Sequence, residues 1–146
     1  MLEKFQGDDG RGALLNALRT QFLVEGNTDI AKYIAAACAI KEFAPGEALF
    51  SEGERGGDLY LIIAGQVSVR KNDEEIAICN TGMHVGEIGL LEPFKGRSAT
   101  VAAIDTVVVA KITLQKFTEI AETYPSLWRR MALELAHRLV KTQDAV

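Results

Sequence analysis

With two histidines and two cysteines, the sequence is short of the ligands from which zinc and iron centres are usually built. Cys38 and Cys79 form no Cys-x-x-Cys pair and have no histidine at ligand spacing, so both are expected to be reduced, buried and inert. His84 and His137 fall on different segments. With no nucleophile or orienting partner near it in sequence, His84 reads as a strand residue with a satisfied hydrogen bond rather than as an acid or base. A basic excess is also missing: 16 Lys and Arg against 20 Asp and Glu leave a net charge of -4, the wrong sign for a nucleic-acid surface. The longest apolar runs, DLYLIIAG and TVVVAKI, fall far short of the ~18 residues of a spanning helix, and MLEKFQGDDGRG has no signal-peptide core. These absences point to a cytoplasmic chain with no metal, no cofactor, no membrane contact and no direct DNA contact.

What is present is an ordinary globular composition, 48% hydrophobic and 25% charged over 146 residues, enough for one domain spanning 1–146. Leu14, Leu15, Leu18, Phe22 and Leu23 recur at helical spacing over 13–24. A second stripe, Ile30, Tyr33, Ile34, Ala37 and Cys38, follows a cap at Asn27 or Thr28. From about Ile40 the texture changes to short segments separated by turn residues. QVSVRK alternates Val67 and Val69 inward with Ser68 and Arg70 outward, and DLYLIIAG puts Leu59, Leu61 and Ile63 on one face. After Thr113 helical spacing returns in Phe117, Ile120, Ala121 and Tyr124, and Pro125 opens a last helix. That helix carries Leu127, Met131, Leu135 and Leu139 on one side, with Arg129, Arg130, Glu134 and Lys141 largely elsewhere. The expected class is α+β: an eight-stranded antiparallel β-roll of jelly-roll kind over 40–113, a helical lead-in over 11–39, and two C-terminal helices over 114–143. Only the first dozen and the last few residues look loose.

One stretch fits neither texture. GEIGLLEPFKGRSATV, residues 86–101, has too much glycine for an ordinary helix and too many breaks for a strand. EIGLLE can form one helical turn before Pro93 stops it, and the first N–H groups of such a turn lack internal partners and favour an anion. Arg97 offers a full charge and a bidentate fork, which suits phosphate. Glu87 would repel phosphate, so its sensible task is to accept a sugar hydroxyl while pairing with an arginine. The plain alternative is a surface ion pair between Glu87 and Arg97, worth only ~0–1 kcal/mol.

That stretch resembles the phosphate-binding cassette of cyclic nucleotide-binding domains, of the catabolite activator protein-like group. Gly86, Glu87, Ile88, Gly89, Leu90, Arg97, Ser98, Ala99 and Thr100 stand at its positions. PGEALFSEGERGGDLYLIIAGQVSVR resembles the family's early strands, so the likeness covers roughly 38–143. The resemblance implies that Glu87 binds the ribose 2′-hydroxyl, that the backbone at Gly86, Ile88 and Ser98 lines the phosphate, and that Arg97 pairs with its exocyclic oxygens. It also implies that Arg138 reaches the phosphate side and Thr142 the base, the last helix acting as a lid. Val85 replaces an aromatic residue common before Gly-Glu, a change to packing beneath the loop. With no helix-turn-helix segment after Val146, the expectation is a stand-alone sensor with no DNA-binding domain.

The function expected is therefore a signalling receptor for cAMP, with cGMP open because Ser98 is compatible with either, acting on an unidentified downstream protein. An enzyme is not expected, since two separated histidines cannot supply a metal-dependent jelly-roll site. A ligand-free interaction module is the alternative, in which Leu127, Trp128, Met131, Leu135 and Leu139 form a partner face or a homodimer seam instead of packing on the roll.

Overall fold

The computed structural model describes residues 1–92 and 94–142, side chains at 90 and 140–142 excepted. A 3-10 turn at Leu2–Phe5 leads into α1 (Gly7–Arg19) and α2 (Thr28–Ala37). The strands β1 (Ala39–Phe43), β2 (Ala48–Phe50), β3 (Leu59–Ala64), β4 (Gln66–Lys71), β5 (Glu74–Asn80) and β6 (His84–Val85) follow. After α3 (Glu87–Leu91) come β7 (Thr100–Ala103), β8 (Val107–Ile112), α4 (Leu114–Thr123) and α5 (Ser126–Thr142). The strands form two four-stranded antiparallel sheets, ordered β1-β8-β3-β6 and β2-β7-β4-β5. This is the expected α+β architecture of a β-roll between helices.

Two cores result, and β3 and β8 divide them. Leu59, Leu61 and Ile63 of β3, with Val108, Ala110 and Ile112 of β8, face the helices, where they meet Leu18, Ile34, Phe117, Leu127 and Met131. The alternate residues Tyr60, Ile62, Val107 and Val109 point into the roll and meet Phe50, Val67, Cys79, Val85 and Val101. Both strands are therefore buried on both faces, which is why they read in sequence as near-continuous apolar runs. Asn72 and Asp73, with φ of 53° and 63°, make the two-residue turn joining β4 to β5, the positive-φ pair that hairpin twist requires.

The helices depart from their sequence reading in instructive places. α1 starts at Gly7, not near 13, and the chain after Arg19 runs through turns. The first dozen residues are folded: Leu2 and Phe5 pack on the helical core, and the Leu2 amide donates to Glu42 Oε1 at 2.8 Å. Glycine-rich GDDGRG is helical because Asp8 and Asp9 sit at the positive end of the helix dipole. Gly10 lies so close to the Phe5 carbonyl carbon that an added Cβ would stand 2.5 Å from it. Asn27 caps α2, its side chain accepting from the Ile30 amide at 3.0 Å, but Tyr33 is 55% exposed and Ala31 takes its place in the core. Ser68, expected outward, is covered by Glu75, to which its hydroxyl donates at 2.6 Å. On α5, Leu127 and Met131 are buried against the roll, while Trp128 is partly exposed and Leu139 more than half exposed. Of the cysteines, both free, only Cys79 is fully buried. Among the described residues no helix is long and apolar enough to cross a membrane, and no cluster of three metal-ligating side chains occurs.

Candidate functional site

β6 ends at Val85, and Gly86 turns the chain through a left-handed conformation (φ 94°) into the single turn of α3. Across from it, the chain at Arg97 is pinned by its backbone: its amide donates to the Glu54 carbonyl at 2.7 Å, and its carbonyl accepts from the Gly53 amide at 2.8 Å. The loop joining β2 to β3 thus fixes where the Arg97 side chain starts.

That side chain is 5% exposed, and its partners are neutral. Nη1 donates to the Gly86 carbonyl at 3.1 Å and Nη2 to the Asp58 carbonyl at 3.0 Å, and the guanidinium carbon sits 4.2 Å from the centre of the Phe50 ring. No described carboxylate pairs with it. Room for the guanidinium depends on Gly89, where an added Cβ would lie 2.4 Å from Nη1 and 2.5 Å from the Gly56 carbonyl oxygen. The plain reading of the cassette as a Glu87–Arg97 ion pair is thereby set aside, because each charge is engaged elsewhere.

Glu87, also buried, belongs to a separate cluster that joins α3 to α5. Its Oε1 accepts from Arg138 Nη1 at 2.8 Å and lies 2.9 Å from His84 Nδ1. On the other side of the imidazole, Nε2 lies 3.0 Å from Glu134 Oε2. Both ring contacts are at ion-pair distance, although neither N–H is well aligned on its oxygen. Arg138 Nη2 bonds both Glu134 Oε2 and the His84 carbonyl, and the His84 amide donates to Glu134 Oε2 at 3.1 Å. Burial pushes the Glu87 carboxyl up, but His84 and Arg138 together outweigh it and hold the group below the usual carboxylate range. Burial likewise opposes the charge on Arg138, and Glu87 and Glu134 overcome it, raising that group further.

Gly86, Glu87, Ile88, Gly89, Arg97, Ser98, Ala99 and Arg138 therefore line one space, with Ser98 exposed at its rim and Ala99 buried. The space is small, about 60 Å³, where ligand pockets ordinarily begin near ~300 Å³. Larger grooves lie along α1 and α2, lined by Phe5, Leu14 and Leu15 among alanines and surface charges, and along α2 and α4, lined by Tyr33, Ile120 and Tyr124. Arg138 was expected on the phosphate side. It donates to Glu87 Oε1 at 2.8 Å and lines the same space as Arg97, and the Thr142 side chain lies outside the described residues. Sequence reasoning missed Glu134 and the charged surroundings of His84. The i,i+4 spacing of Glu134 and Arg138 was a usable signal, masked by the many charges on α5.

The sequence model of the cyclic nucleotide-binding domain matches residues 40–124. The chain is 37% identical, over all its 146 residues and 47% of the relative, to Pycsar effector protein PaPycTIR of Pseudomonas aeruginosa. It is 33% identical over 114 residues, 75% of this chain and 54% of the relative, to the cAMP-activated global transcriptional regulator CRP of Escherichia coli O6:H1. The chain thus spans about half the length of the curated relatives it matches. Its fold superposes on a solved structure of Sp-2Cl-cAMPS bound to PKAR CBD2 with TM-score 0.73 and 22% identity, covering 90% of each chain.

Proposed function

The chain belongs to the cyclic nucleotide-binding domain family, and we propose that it binds a 3′,5′-cyclic mononucleotide, cAMP first among them, as the receptor module of a signalling protein. The observation that carries this reading is Arg97, a buried guanidinium that among the described residues meets two carbonyls and an aromatic face and no carboxylate. Buried charges are normally paired, and a phosphate approaching between α3 and Ser98 supplies the missing negative charge in a bidentate geometry. Glu87 gives the opposite pole. Its Oε1 meets both Arg138 and His84 and no described hydrogen bond ends on Oε2, which is left to accept a ribose hydroxyl. An acceptor and an anion site held apart by separate networks suit a ligand that is sugar at one end and phosphate at the other.

The base then lies toward α5. A space of about 60 Å³ does not hold a nucleotide, so binding moves α5 or the loop after α3, and contacts that differ between the two arrangements carry the signal. The cAMP-activated regulator among the relatives supports cAMP, and likeness to a Pycsar effector protein along the whole chain supports a receptor that serves an effector.

Calorimetric titration with AMP and with cyclic mononucleotides of all four common bases tests the reading. Saturable binding of a cyclic nucleotide is expected, with cAMP tightest. Arg97→Ala should weaken it by about 1.5–3 kcal/mol, the worth of hydrogen bonds to a charged group. Folded wild-type chain that binds none of the cyclic nucleotides overturns the function, and tighter binding of another base overturns the choice of cAMP.

A further inference from the structure

His84 and Glu134 make none of the ligand contacts above, yet they sit at the join between the ribose carboxylate and the C-terminal helix. The imidazole is 1% exposed and faces a carboxylate from each of its two nitrogens, Glu87 at 2.9 Å and Glu134 at 3.0 Å. A neutral imidazole carries one N–H and one lone pair, so in either tautomer a lone pair would confront a buried carboxylate; only the imidazolium presents a proton to both. With His84 protonated, the buried group of His84, Arg138, Glu87 and Glu134 has two positive and two negative charges. Without that proton it carries a net negative charge beside the place where a phosphate is to enter, and buried uncompensated charge is strongly unfavourable.

We propose that His84 and Glu134 are positioning residues for nucleotide binding: the His84 imidazolium clamps Glu87 Oε1 so that Oε2 faces the sugar, ties α5 to the binding loop through Glu134, and makes affinity depend on the His84 proton. The inference rests on the reading of Glu87 as the ribose acceptor. The groups around the ring come from each neighbouring element. α3 supplies Glu87; α5 supplies Glu134 and, one turn on, Arg138; β3 sets Leu61 opposite His84 in register; β5 brings Cys79 near Arg138. His137, also on α5, is turned away and stacks edge-on to Phe22. Glu87 is held below the usual carboxylate range, so its own proton does not enter the balance.

The experiment is the affinity of the intact chain for cAMP, or for whichever cyclic nucleotide binds tightest, by calorimetry from about pH 5.5 to 8.5, the range in which imidazoles titrate. It is run on wild type, His84→Gln and Glu134→Gln, with folding checked by circular dichroism. Wild-type affinity should fall toward alkaline pH with a limiting slope of about tenfold per pH unit, one linked proton. His84→Gln should bind more weakly at the acid end and give a flat profile, and Glu134→Gln should shift the wild-type curve to lower pH. A flat wild-type profile, or an unchanged slope in His84→Gln, overturns the inference while leaving nucleotide binding intact. Absence of all nucleotide binding overturns the reading on which the inference rests; should either variant fail to fold, ¹⁵N spectra of the wild-type His84 ring over the same range decide. Two protonated nitrogens at the acid end uphold the clamp, and one neutral tautomer throughout overturns it.

Discussion

At the scale of single residues, the site works by keeping its two charges from neutralising each other. Arg97 is held on carbonyls and an aromatic ring, and Glu87 on His84 and Arg138, the separation on which the proposed nucleotide site depends. Gly89 is the residue on which the first arrangement most depends. Gly89→Ala should displace the guanidinium, because the new methyl would overlap both Nη1 and the Gly56 carbonyl. A loss of nucleotide affinity at least as large as that of Arg97→Ala, with a lowered unfolding midpoint, is the expected calorimetric and denaturation result. Glu87 also makes a pH prediction with a definite sign. Its carboxyl titrates lower in the folded chain than the ordinary ~4.3, so its stabilisation is complete above that value and is lost as pH falls through the folded one. Urea unfolding below about pH 4.5 should therefore show a shallower acid loss in Glu87→Gln than in wild type.

At the scale of elements, α5 bridges the two halves of the fold. Its first half is anchored by Leu127 and Met131 in the helical core, and its second half reaches the binding loop through Glu134 and Arg138. The hydrophobic stripe read in sequence as either a partner face or a packing face is divided accordingly: buried at Leu127 and Met131, exposed at Leu139. Met131→Ala should cost about 2–5 kcal/mol in chemical denaturation, as other buried methionine truncations do. The cap of α2 gives a milder test, for Asn27→Ala removes an acceptor from the Ile30 amide and should cost about 1 kcal/mol in the same assay. These element boundaries mark where sequence reading was strong and where it failed. The helical stripe of α4 was legible because Phe117, Ile120 and Ala121 bury one face. The start of α1 was not, because in sequence three glycines outweigh the acidic first turn at Asp8 and Asp9, and the close packing of Gly10 on the 3-10 turn is a contact that no local preference announces.

At the scale of the whole molecule, a ligand that binds only the folded chain must stabilise it. With cyclic nucleotide at a hundred times its dissociation constant, the gain in unfolding free energy should be about 2.7 kcal/mol, seen as a raised melting temperature that AMP does not reproduce. The sequence by itself determined the roll and its flanking helices and the family to which the cassette belongs, since alternation, turn residues and a motif of fixed spacing are local properties. Only the tertiary structure decided which charges meet. Arg138 is 51 positions from Glu87, and Glu134 is 50 from His84. Their pairing exists because Leu127 and Met131 seat α5 on the roll, and burial there brings Glu87, His84, Glu134 and Arg138 into one cluster.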